Sequence, residues 1–157
     1  MPEATPLPDF FGRLTTVRSQ HEHLGATLRN LEAASDALEI GRTSFPAELS
    51  PGALLTALRG DLAQHFEAEE SDVHFGTIAR EEPRLLPGIV DLKGDHAAML
   101  ASIDGLLLVA ADQSRWLELV VPIRRLIRAL RVHERAEALL LQEYFGRGEV
   151  EARAAGL

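Results

Sequence analysis

The chain has 157 residues, 46% of them apolar, which is enough apolar material for one sizeable core and too much for a disordered polymer. It contains no cysteine, so disulfides, iron–sulfur clusters and thiolate zinc sites are excluded and any metal must be held by nitrogen and oxygen. A formal charge of -8 argues against a nucleic-acid backbone as the main partner, and Arg124, Arg128, Arg131 and Arg135, although at helical spacing, read as a solvated face.

The opening Met-Pro-Glu-Ala-Thr lacks the basic and apolar regions of a signal peptide, and the longest apolar run, around Leu106 to Ala111, is too short to span a bilayer. The expectation is a cytoplasmic protein that does not enter a membrane.

Four long segments repeat apolar residues every three or four positions, and none alternates long enough for a half-buried strand. The predicted fold is all-α, an antiparallel up-down-up-down four-helix bundle over residues 9–146, with an N-terminal extension at 1–8 and a loose tail at 147–157. The first helix runs from about Asp9 to Ile40 on the stripe Leu14, Val17, Leu24, Leu28, Leu31 and Leu38, and Gly41 stops it. Ser50 and Pro51 cap the second, which continues through Leu55, Leu58, Leu62, Phe66 and Val73 to about Arg80. The third begins near Pro87 and carries Ile89, Leu92, Met99, Ile103, Leu106 and Leu107 to about Ala111, followed by an Asp112-Gln113-Ser114 connection. Ser114 caps the fourth, which includes Trp116 as a packing residue, is kinked by Pro122 and ends at Gly146.

Polar residues on the apolar stripes are the informative ones, because buried His and Glu need partners that offset their desolvation. His21 lies between Val17 and Leu24; His65 and Glu69 continue the stripe from Leu58 and Leu62; His96 separates Leu92 from Met99; His133 and Glu137 fall between Leu130 and Leu140. A His and a Glu four residues apart are separated by about 40° and about 6 Å, so both can point at one object beside the helix. Counting the helical rise across the three turns places all six in one slab of the core. His23 and His74 are expected in solvent, Glu70 on the surface and Tyr144 in ordinary core packing.

Four imidazoles and two carboxylates make a ligand set for two divalent ions, each taking two histidines, with the carboxylates able to bridge. Two cations would also neutralise two buried glutamates. Ligand type does not choose among iron, manganese, zinc and copper. The Glu-x-x-His pairs of ferritin-like di-iron bundles are absent, and His133-Glu134-Arg135-Ala136-Glu137 lacks the second histidine of a zinc protease helix.

The segments Gln-His21-Glu-His-Leu, His65-Phe-Glu-Ala-Glu69-Glu70, Asp95-His96 and His133-Glu-Arg-Ala-Glu137 resemble, in order and spacing over about residues 9 to 145, the hemerythrin-like or HHE cation-binding domain family. The resemblance implies two iron ions joined by an oxo or hydroxo bridge, with Glu69 and Glu137 as bridging carboxylates and His21, His65, His96 and His133 as terminal ligands; zinc or manganese are the other candidate metals. Oxygen-carrying members have a further histidine four residues on in the third helix, where this chain has Leu100, and a His-x-x-x-x-Asp pair in the fourth, where it has His133 and Glu137. One metal is thereby left with more exchangeable positions. The expected function is binding of, or reaction with, oxygen, peroxide or nitric oxide, for sensing, protection or iron handling. Alternatives are catalase- or peroxidase-like turnover, or a metal-stabilised bundle that exposes a surface to a protein partner.

Overall fold

A computed structural model of the chain describes the backbone of residues 7–154 and the side chains of residues 19–146. Among the described residues it is all-helical: α1 (Leu7–Glu39), α2 (Pro51–Glu70), α3 (Phe75–Glu81), α4 (Leu86–Ala110) and α5 (Val120–Ala154), with 3-10 turns at Ala47–Leu49, Pro83–Leu85 and Gln113–Leu119. The four long helices close a ring, α1 packing on α2 and α5, and α4 packing on the same two. No helix is long and apolar enough to cross a membrane, among the described residues.

Chain punctuation accounts for the helix ends. Gly41 takes a left-handed conformation with φ +87° after α1, and the amides of Gly41 and Arg42 donate to the carbonyls of Leu38 and Ala37, both at 2.9 Å. Those bonds satisfy carbonyls that the last turn would leave unpaired. Ser50 Oγ accepts from the Ala53 amide at 3.3 Å, with Pro51 at the first helical position. Ser50→Ala is therefore expected to lower stability by about 1 kcal/mol, read as a shifted denaturant midpoint.

Several boundaries differ from the sequence expectation. The second helix stops at Glu70 instead of reaching Arg80, because Ser71 turns extended and donates its hydroxyl to the Ala68 carbonyl at 2.7 Å. Such local side-chain bonds compete with helical ones. The chain resumes as α3, which sends Phe75 and Ile78 into the core. Ser114 caps nothing: Asp112 accepts from the Ser114 amide at 3.0 Å, and the residues up to Leu119 form a 3-10 turn. Trp116, in that turn, donates its indole N–H to the Ala110 carbonyl at 2.9 Å. Pro122 falls in the first turn of α5, where its missing N–H has no helical acceptor to lose, so the expected kink has no basis. Gly146 does not end that helix, whose backbone continues to Ala154. The side chains of Leu14 and Val17, residues 1–6 of the N-terminal extension and residues 155–157 of the tail lie outside the described residues.

Two apolar clusters fill the interior. One gathers Leu24, Leu28, Leu31, Leu58, Leu62, Phe66, Met99, Ile103, Ile123, Leu126 and Leu130; the other gathers Phe75, Ile78, Leu85, Ile89, Leu92 and Leu140. On α4 the boundary between them falls between Leu92 and Met99, and on α5 between Leu130 and Leu140. His96 and His133 with Glu137 occupy those intervals. On the surface, Arg124 pairs with Asp36 and Glu39, and Arg131 with Glu32, so part of the basic stripe joins α5 to α1. Exposed pairs of this kind contribute little to stability.

Candidate metal centre

All six polar residues singled out on the apolar stripes meet between the two clusters. His65, Glu69, His96, His133 and Glu137 are each at most 2% exposed, and His21 is one-third exposed. They form two groups with ligand atoms within 4.8 Å of one another: His21, His65, Glu69 and Glu137 in one, and Glu69, His96 and His133 in the other. Within the groups, His21 Nε2 lies 2.9 Å from His65 Nε2, and His96 Nε2 lies 3.1 Å from His133 Nε2. Glu69 belongs to both groups. Its Oε1 is 2.8 Å from His65 Nε2 and its Oε2 is 3.1 Å from His96 Nε2. Glu137 reaches only the first group, with Oε2 at 3.6 Å from His21 Nε2.

The outer nitrogens set the tautomers. His96 Nδ1 donates to Glu70 Oε1 at 2.7 Å, His65 Nδ1 to Gln20 Oε1 at 3.2 Å, and His133 Nδ1 more loosely to Asp95 Oδ2 at 3.4 Å. A carboxylate only accepts, so in a neutral ring the proton sits on Nδ1 and the Nε2 lone pair points inward. In the His96–His133 pair, where both outer nitrogens are held, two lone pairs facing each other at 3.1 Å repel unless a cation lies near both. The Phe66 ring stacks on His96 at 3.8 Å and 8°, fixing its plane.

The carboxylates are in the same condition. All four oxygens of Glu69 and Glu137 are buried, and despite the short distances to imidazole none has a hydrogen bond of proper alignment. Leaving such atoms unsatisfied costs about 1 to 3 kcal/mol each. Burial, and then the charge of Glu69, pushes the Glu137 carboxyl up to about 9. Burial also acts to raise Glu69, but N–H donation from His21, His65 and His96 outweighs it and holds this carboxyl well below the usual range, an effect that needs protons on the inner nitrogens and that a cation would supply beside neutral rings. Burial, reinforced by neighbouring His96, lowers His133 and keeps it neutral, the state in which imidazole binds a metal. Buried oxygens without hydrogen bonds, inward lone pairs and two carboxylates that cannot both ionise unaided are the features that cations would resolve. The residues present fit a pair of metal ions.

The hemerythrin HHE cation binding domain model matches residues 12–145, most of the chain. The chain belongs to this family. Neither the curated proteins nor the solved structures gave a match. As an HHE domain the chain is a cation-binding helical bundle, and its His and Glu groups are of a kind that could hold metal.

Four further residues near this HHE site escaped the sequence reading. Gln20, Glu70 and Asp95 are each the immediate neighbour of a residue in the cluster, so the helical angle turns them off the stripe, yet each bonds an imidazole from an adjacent helix. Glu70 is 39% exposed and still holds His96. His74 is only 1% exposed, contrary to its expected place in solvent, because the break at Ser71 turns it inward. Burial lowers it, so it too is neutral. His23 is exposed as expected and faces Asp61 at 3.2 Å. Tyr144 packs against the second apolar cluster, and its hydroxyl donates to Glu81. Glu70→Ala is expected to weaken metal affinity about tenfold, measured by competition with a chelator, since partners behind metal-binding histidines contribute on that scale.

Proposed function

We propose that the chain holds two iron ions on His21, His65, Glu69, His96, His133 and Glu137, and that exchangeable positions on the pair bind or react with oxygen, peroxide or nitric oxide. The observation that carries the reading is the inward Nε2 lone pairs of His96 and His133 beside four buried carboxylate oxygens that lack hydrogen bonds. His21 and His65 would hold one ion and His96 and His133 the other, with Glu69 shared, since its two oxygens face the two groups. Zinc or manganese would suit the same donors. The ring of contacts between helices consecutive in the chain favours an up-down-up-down bundle, with the centre within residues 9–146.

Held by these residues, a pair of iron ions would supply Lewis acidity and electrons to a small ligand. The chain's own part is to orient the site and to confine water to the side of His21. Phe66 and Phe75 cover His96, apolar clusters close both ends, and Gln20, Glu70 and Asp95 hold the outer protons of three imidazoles. The test is to load the protein with ferrous iron and mix it separately with oxygen, peroxide and nitric oxide. An absorption change that saturates with at least one of these ligands is expected. An iron-loaded protein whose spectrum responds to none of them would contradict the reactivity.

A further inference from the structure

The five most buried residues of the centre are sealed by helices, and solvent reaches the sixth from one side. A cleft of about 680 Å³ opens between α1 and α5, with His21, Gly25 and Arg29 on one wall and Arg131, Glu137 and Ala138 on the other. His21 and Glu137 thus line the same cleft, and His21 is one-third exposed there. A second depression, between α2 and α4, reaches His96. It is closed at that point: Phe66 stacks on the ring, Glu70 holds Nδ1, and His96 is only 2% exposed.

Two features describe what the cleft admits. Its rim carries two guanidiniums, Arg29 and Arg131, and two carboxylates, Glu22 and Glu134, so it favours neither sign of charge. Its width depends on a missing side chain. Gly25 lies within α1, where glycine costs about 1 kcal/mol relative to alanine. A Cβ at Gly25 would meet nothing closer than Arg29 Nη1 at 3.5 Å, an ordinary contact, so packing does not demand glycine there. What its absence of side chain leaves is space on the cleft wall one helical turn beyond His21.

We propose that the α1/α5 cleft is the entry route to the centre and that Gly25, with Ala138 opposite, sets the size of the small ligand admitted. The inference rests on the metal-centre reading. Larger residues on either wall would narrow the path without touching a metal-binding atom or the outer partners of the histidines.

The experiment compares Gly25→Leu and Ala138→Leu, one on each wall, with Ala97→Leu in the α2/α4 depression. Iron-loaded protein is mixed with azide in a stopped-flow spectrometer, and iron content and melting temperature are measured on the same samples. Both cleft variants are expected to keep wild-type iron content and slow azide association about tenfold, within the range over which association rates vary among variants of one site. Ala97→Leu is expected to bind azide at the wild-type rate. Wild-type rates in both cleft variants, or equal slowing by Ala97→Leu, would overturn the route while leaving the metal centre standing. A wild-type chain that takes up no metal would overturn both.

Discussion

Glu69→Ala is expected to empty both halves of the centre, and Glu137→Ala to empty the half it shares with His21 and His65, each with a loss of metal affinity greater than about 100-fold. Removing a residue that touches the metal should exceed the 10- to 100-fold typical of the partners behind it. The asymmetry follows from position: Glu69 presents an oxygen to each group, whereas Glu137 lies in only one. Elemental analysis of the purified variants would check both. His23→Ala serves as the comparison, because His23 is 69% exposed and faces Asp61 away from the cluster. It should retain wild-type metal content. Full occupancy in both glutamate variants would remove these residues from the site.

Removal of metal is expected to make stability fall as pH rises from about neutral to about 9. In the metal-free fold Glu137 keeps its proton up to about 9, against an ordinary value of 4.5. Between those values the folded chain binds the proton and the unfolded chain does not, so each rise in pH favours unfolding, by at most about 1.4 kcal/mol per pH unit. His133 and His74 are lowered from 6.5 and act in the opposite sense, losing stability as pH falls below that value. Above it they are neutral in both states, and the Glu137 contribution stands alone. Glu69, held ionised, contributes stability present above 4.5 and lost only in acid. With metal bound, both carboxylates are already ionised and the alkaline decline should vanish. Melting temperature against pH, with and without chelator, reads the effect. A chelated protein whose stability is flat or rising from pH 7 to 9 would show that Glu137 does not keep its proton in the metal-free fold.

The long helices and the cluster at their centre were legible because both obey one period. His65 with Glu69 and His133 with Glu137 recur at the spacing of the apolar residues around them, and a helix drawn through those residues brings the polar ones inward. The break at Ser71 was not legible, since Val73 continues the stripe and masks it; the angle drawn for His74 was therefore that of a helix that had already ended. Pro122 was placed too deep because the Gln113–Leu119 turn, capped by Asp112, takes up residues assigned to the fourth helix. Gly146 looks like a stop in the sequence, but glycine ends a helix where the chain turns left-handed, as Gly41 does. Glu70, Asp95 and Gln20 depend on which helix lies opposite, and no periodicity within one helix carries that information.

The most direct test of the metal centre is the metal stoichiometry of protein produced in iron-replete medium, read with its ultraviolet-visible spectrum. About two irons per chain are expected, one for each pair of histidines, with near-ultraviolet absorption from the coupled pair. No metal, or a single zinc, would contradict this and leave an HHE bundle whose inward imidazoles and carboxylates serve some other purpose.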